Sequence, residues 1–203
     1  MKHFCLKMKK NIIFFIIPHL VFALDLKNIS DLNNWKMLQE DPISIKWQEY
    51  KGFPISKAEM VFDHDINLIV SAIQDIKNYP NIFERVTKTH RIESNIVQIV
   101  LDMPFPFSGR DYIIRYMTEK TKDTWIFSFH SVNFPNVKPD NGHVRLPNAA
   151  GVWILNDIGN NKTKVTYAWN GELLGNFPDF GLEKAWVTQG TEVLLWLNES
   201  LSN

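Results

Sequence analysis

The side chains able to do chemistry are few and scattered. Asp102 closes one predicted strand, and Arg110 and Asp111 open the next. Such a trio at the mouth of a pocket could hold a polar ligand group; it also fits a satisfied ion pair at the base of a hairpin. Arg115 and Arg145 are weaker candidates of the same kind. Asp63-His64-Asp65 has the residue types of a metal or acid–base site. Neighbours on a strand point to opposite faces, however, so His64 opposes both acids and a solvated strand end fits better. His90, His130 and His143 stand apart, with no pair at metal-ligand spacing. A nucleophile elbow, a P-loop, a dinucleotide fingerprint and His-Glu-x-x-His are all absent from the sequence. The one cysteine, Cys5, sits in the N-terminal segment, so a chain cleaved after residue 23 would hold no thiol for a disulfide, a metal or catalysis. No metal, cofactor or catalytic residue is expected. Asn161-Lys162-Thr163 matches the glycosylation acceptor pattern.

Charge and composition narrow the classes further. Lys2, Lys7, Lys9 and Lys10 lie in residues 1–23, which contain no acid; the rest of the chain carries 18 basic and 22 acidic residues, a net charge of −4. That balance gives no electrostatic footprint for nucleic acid, and basic runs interleaved with aromatics are missing. Apolar residues make up 45% and aromatics 13%, with seven Trp that need a core, a pocket wall or an interface. Lys7, Lys9 and Lys10 lead into the apolar run Ile12–Ala23, which ends in Val21-Phe22-Ala23. This is the pattern of a signal peptide cleaved after Ala23, with residues 24–203 as one mature domain, exported to the periplasm or secreted. The alternative is an uncleaved N-terminal anchor, although a span needs about twenty apolar residues. Met8 is a second possible start.

The periodicities that must position any site change along the chain. Leu26, Ile29, Leu32, Trp35 and Leu38 fall near helical spacing, so a short helix, which Ser30 could cap, is expected within 26–39. Ile43–Tyr50 alternates as a strand with one wet face, Gly52-Phe53-Pro54 reads as a turn, and Lys57–His64 as a second strand. Leu68, Ile69, Ala72, Ile73 and Ile76 predict a helix over 67–77, and Pro80 opens a short second one. From Thr87 to Asn170 strand follows strand, with Ser94-Asn95 and Gly159-Asn160-Asn161 as tight turns and Pro104–Gly109 as a loop. A long helix then runs from about Pro178 to Leu201, its apolar stripe made by Trp186, Val187, Gly190, Val193, Leu194, Leu197 and Leu201. The order predicts an α+β fold in which a long antiparallel sheet wraps that helix.

Alternation also says which strand residues face inward. The sets are Val97, Ile99, Leu101 and Met103; Trp125, Phe127 and Phe129; and Val165, Tyr167 and Trp169. A wall of large aromatics suits a flat or long apolar ligand, whose burial yields about 25 cal/mol per Å². The same alternation fits a solid core, and the pattern leaves both open. Phe105 and Phe107, in the Pro-framed loop, read either as a tucked hydrophobic turn or as an exposed gate that touches a membrane.

One set of segments, in order, resembles a known family. They are Tyr79-Pro80-Asn81-Ile82-Phe83, Asp102-Met103-Pro104-Phe105-Pro106, Gly109-Arg110-Asp111-Tyr112, Val144-Arg145-Leu146-Pro147, Gly151-Val152-Trp153, Thr163-Lys164-Val165-Thr166-Tyr167 and Gly175-Asn176-Phe177-Pro178. From about Trp35 to the end, the chain resembles the START (StAR-related lipid transfer) domains, as a bacterial-type, exported, single-domain member. The resemblance implies a helix-grip fold and an internal hydrophobic cavity for a lipid, sterol or fatty acid, with Pro104–Gly109 and the last helix as lid. It tips the reading from core to pocket and adds Tyr112, Tyr116, Trp153, Trp186 and Leu194 to the walls, with Phe105 and Phe107 as gate and Asp102, Arg110 and Asp111 as a polar mouth. Related helix-grip proteins include cyclases and aromatases. An enzyme on the same cavity would need a placed proton donor or base, for which Tyr112, Tyr116 and Tyr167, beside Arg110, are the available groups. A periplasmic chaperone or scaffold with an apolar groove is a third reading. The expected partner is a hydrophobic small molecule, with transient membrane contact and no nucleic acid.

Overall fold

A computed structural model describes residues 24–202. The expected signal segment and its cleavage point lie outside those residues. The helix expected within 26–39 is not there. Leu24, Leu26 and Ile29 are buried, a single 3-10 turn spans Ile29–Asp31, and the chain then extends into strand β1 (Lys36–Gln39). Asn34 takes φ 65°, which breaks any helix, and Trp35 donates its indole N–H to the Leu32 carbonyl at 2.9 Å. The apolar spacing serves a strap lying on a flat sheet.

Strands β2 (Ser44–Tyr50) and β3 (Phe53–Phe62) join through Lys51 and Gly52, at φ 53° and 79°. Two successive left-handed residues form the tight turn that matches strand twist. The turn therefore falls one residue earlier than expected, and Phe53-Pro54 already belongs to β3. Asp65 caps α1 (Ile66–Gln74) by accepting from the Asn67 N–H at 2.8 Å. Asp63 pairs with Lys162 at 2.7 Å. The Asp63-His64-Asp65 run is thus a strand end and a helix cap. Helix α2 (Tyr79–Ile82) follows, with Pro80 in its first turn.

The remaining strands are β4 (Val86–Glu93), β5 (Ile96–Leu101), β6 (Gly109–Lys120), β7 (Thr124–Ser131), β8 (His143–Arg145), β9 (Ala150–Gly159) and β10 (Lys162–Asn170). The chain ends in α3 (Leu182–Ser200), preceded by a 3-10 turn at Asp179–Gly181. Pro178 caps that turn, so the long helix starts later than its proline suggests. One curved sheet runs in the order β1-β2-β3-β10-β9-β7-β6-β5-β4, antiparallel throughout, with the short β8 pairing in parallel with β6 off this path.

Both faces of the sheet centre are covered. On the inner face Ile45, Ala58, Trp153, Leu155, Val165, Tyr167 and Trp169 pack with Ile69, Ile73, Trp186, Leu194 and Leu197 of the helices. On the outer face Leu24, Leu26 and Ile29 cover Ile55, Val152, Ile154 and Ala168. Gly190 lets α3 approach closely: a methyl there would stand 3.0 Å from Trp169 and 3.1 Å from the Ala58 Cβ. Leu26→Ala should cost about 2–5 kcal/mol, as for other buried leucines. Denaturant unfolding measures it, and an unchanged midpoint would mean that the strap lies outside the cooperative fold.

Candidate functional site

Between the inner face of the sheet and α3 lies a cavity of about 630 Å³. Strand register builds its wall. Phe127 on β7 stands opposite Trp153 on β9, which stands opposite Tyr167 on β10. One step along, Tyr116 pairs with Phe129, and Phe129 with Gly151. A methyl on Gly151 would overlap the Phe129 ring, so this glycine makes room for an aromatic lying across the strand. Trp153 stacks on Tyr167 at 4.3 Å between ring centroids, and Tyr167 on Trp169 at 5.0 Å.

Of the expected wall residues, Ile99, Leu101, Met103, Tyr112, Tyr116, Phe127, Phe129, Trp153, Tyr167 and Trp169 line this cavity. Four do not. Val97 packs with Ile76, Ile99 and Ile114. Trp125 stacks on Phe127, with the Lys120 ammonium 4.5 Å from its ring centroid. Leu194 is fully buried in the core. Trp186 donates to the Gly171 carbonyl at 2.9 Å and packs on Trp47, away from the cavity. The face of α3 over the cavity shares only Val193 with the apolar stripe read from the sequence: Ala185, Thr188, Gln189, Glu192 and Trp196 face the space beside it. That second face follows the i, i+3, i+4 rule as well as the first. Its polar members kept it out of the apolar stripe.

The loop residues also divide. Phe107 lines the cavity and meets Phe177 at 4.6 Å, closing one side of the mouth. Phe105 does not line it; its side chain is 97% exposed at the loop tip. Phe180, in the turn before α3, is 94% exposed and borders the mouth. Sequence reading missed Phe177 and Phe180, as it missed Tyr79 and Phe83, which face the cavity from α2 and its end. The four-residue spacing of Tyr79 and Phe83, rings edge to face at 5.0 Å, was the available signal.

The expected polar mouth separates into three. Alternation on β6 turns Arg110 inward and Asp111 outward. Asp111, fully buried on the outer face, accepts from Arg145 and Gln98. Asp102 is exposed and faces the His143 Nε2 at 3.3 Å. Arg110 is only 2% exposed and pairs with neither aspartate. It donates to backbone carbonyls: Nε to Leu173 at 2.5 Å, Nη2 to Leu174 at 3.0 Å, and Nη1 to Ser108 and to Gly109, the latter at 3.3 Å. One guanidinium thereby ties the 104–109 loop to the segment before α3. Desolvation lowers its pKa, with no carboxylate to oppose the effect.

At the side of the cavity Arg85 and Glu192 form a forked ion pair at 2.6 Å for both contacts, joining the start of β4 to α3. That hydrogen bonding, more than the desolvation opposing it, raises the Arg85 pKa. Inside, burial pushes the phenols of Tyr79, Tyr112 and Tyr167 well above their ordinary value. They stay protonated and serve as donors, and as bases they are poor. The Tyr79 hydroxyl donates a hydrogen bond to the Ile73 carbonyl at 2.8 Å. Gln189 approaches the Tyr167 hydroxyl. Tyr116 turns its hydroxyl to Ser94 and Arg91 at the sheet surface. Among the described residues no group of three or more His, Cys, Asp or Glu could hold a metal ion.

A curved antiparallel sheet gripping one long helix over an apolar cavity defines a helix-grip ligand-binding protein. The START domain family model matches residues 23–191, and the chain belongs to that family. An uncharacterized protein of Pseudomonas aeruginosa is 34% identical over 80 residues, 39% of this chain and 40% of that protein, so the match spans well under half of the relative's length. A StAR-related lipid transfer protein fragment from Xanthomonas axonopodis has the same fold, with TM-score 0.71 and 19% identity over 84% of this chain and 100% of that one. Human StAR-related lipid transfer protein 5 gives TM-score 0.78 and 17% identity over 87% of this chain and 90% of that one. A Streptomyces aromatase/cyclase matches less well, with TM-score 0.50 and 12% identity over 73% and 93%.

Proposed function

We propose that this protein binds a lipid-like molecule in the sheet–helix cavity and carries it between membranes, without chemical transformation. The cavity itself carries the reading. Its walls are Ile99, Leu101, Phe127, Phe129, Trp153 and Trp169, and a space of about 630 Å³ falls within the range of small-molecule sites. Loading would pass the mouth between Phe107 and Phe177, where the exposed Phe105 and Phe180 are suited to enter a membrane interface. We assign the activity to the periplasm or the extracellular space, on the strength of the leader-like residues 1–23. Their cleavage is checked by N-terminal sequencing of the protein recovered outside the cytoplasm.

The enzyme reading has less support. The interior phenols are held protonated by burial, and of the carboxylates lining the cavity Glu192 is engaged by Arg85 and Glu172 by Asn148 and Asn170. Organic extraction and native mass spectrometry of the purified protein test the binding reading. A bound lipid, or one lipid taken up from vesicles, is the expected result. No bound lipid and no uptake would end it.

A further inference from the structure

Resting on that binding reading, we infer that the cavity selects an uncharged, single-chain or fused-ring amphiphile whose one polar group accepts a hydrogen bond from Tyr112. Size is the first ground. A space of about 630 Å³ is that of a site for one small, drug-sized molecule, and a two-chain phospholipid is well beyond that size.

Charge is the second ground. A buried ionic headgroup needs an opposite charge free to meet it. The interior offers none. The Arg110 guanidinium is spent on the carbonyls of Ser108, Gly109, Leu173 and Leu174. Arg85 is neutralised by Glu192. Lys184 reaches only the exposed rim, at the first turn of α3. Glu172, held at the rim by Asn148 and Asn170, adds a negative charge there that opposes an incoming anion.

The third ground is the donors left unpaired in the wall, the Trp169 indole N–H and, more directly, the Tyr112 hydroxyl. Tyr112 lies in the wall on β6, desolvated, and makes no hydrogen bond among the described residues. Its neighbours Tyr79 and Tyr167 have other company, the Ile73 carbonyl and Gln189. A hydroxyl or carbonyl of a ligand would complete Tyr112 without bringing a net charge into the apolar space. The aromatic wall then takes the hydrocarbon.

The test is a competition titration on the full mature chain with three probes of matched hydrocarbon: oleyl alcohol, oleate and dioleoylphosphatidylcholine. Oleyl alcohol is expected to bind at least tenfold more tightly than either other probe. Tyr112→Phe should weaken it about fivefold, the worth of one hydrogen bond, and leave the unfolding midpoint unchanged. Oleate binding as tightly as the alcohol, or preferred binding of the phospholipid, overturns the inference while leaving lipid binding intact. An alcohol affinity untouched by Tyr112→Phe overturns the assigned donor. Failure of all three probes to bind overturns the binding reading itself.

Discussion

Ile114→Trp is expected to abolish lipid capture and leave the fold standing. Ile114 lies on the inner face of β6, between Tyr112 and Tyr116, and lines the cavity. A tryptophan there has empty space to enter, so the added ring replaces ligand volume and does not displace core. Lipid retained through purification should fall at least tenfold by native mass spectrometry, with the unfolding midpoint held or raised. A solid interior predicts the reverse. Forcing extra atoms into packed side chains costs about 1–3 kcal/mol. A loss of that size, with lipid capture unchanged, would contradict the cavity.

Arg110→Met removes the tie that holds the mouth. Four hydrogen bonds run from one buried guanidinium to carbonyls on two loops. Methionine keeps most of the stem, strands the Leu173 carbonyl and leaves that of Leu174 only the long contact from the Phe177 N–H at 3.5 Å. The expected cost is about 3–5 kcal/mol in denaturant unfolding. Because Phe107 and Phe177 then lose the backbone tether beneath them, a fluorescent lipid analogue should leave the cavity several-fold faster. Arg110→Lys should rescue little, since a single ammonium cannot span both loops in the way a planar fork does. A stability change under about 1 kcal/mol, with unaltered release, would show that the loops are held by other contacts.

The strand register was legible in the sequence because a period of two has only two solutions, and polar residues such as Ser128 and His130 marked the outer one. That is how Ile99, Leu101, Phe127, Phe129, Tyr167 and Trp169 could be assigned to one surface. The fate of Leu26 and Ile29 was not legible. Apolar residues three apart suit a helix, and they suit equally a strap crossing a flat sheet; only the uncovered outer faces of Val152 and Ile154 decide between them. The rotation of α3 was hidden for a related reason. Its core stripe is plainly apolar, whereas the cavity stripe mixes Thr188, Gln189 and Glu192 with Val193 and Trp196, as a ligand-facing surface does and as a wet one does. Arg110 and Asp111 were read as one cluster because they are adjacent. Adjacency on a strand places them on opposite faces, and the partners that separated them, Leu173 and Arg145, lie far along the chain.

The central claim is that an apolar chain lies inside, against the aromatic wall. Trp153, Trp169 and Trp196 line the cavity, while Trp35, Trp47, Trp125 and Trp186 do not. Titrating the protein with a bromine-labelled fatty alcohol, whose bromines quench indole emission on contact, reads that placement directly. The account predicts partial quenching that saturates at one ligand per chain and disappears in Ile114→Trp. Emission that stays unchanged, or that falls without saturating, would contradict it.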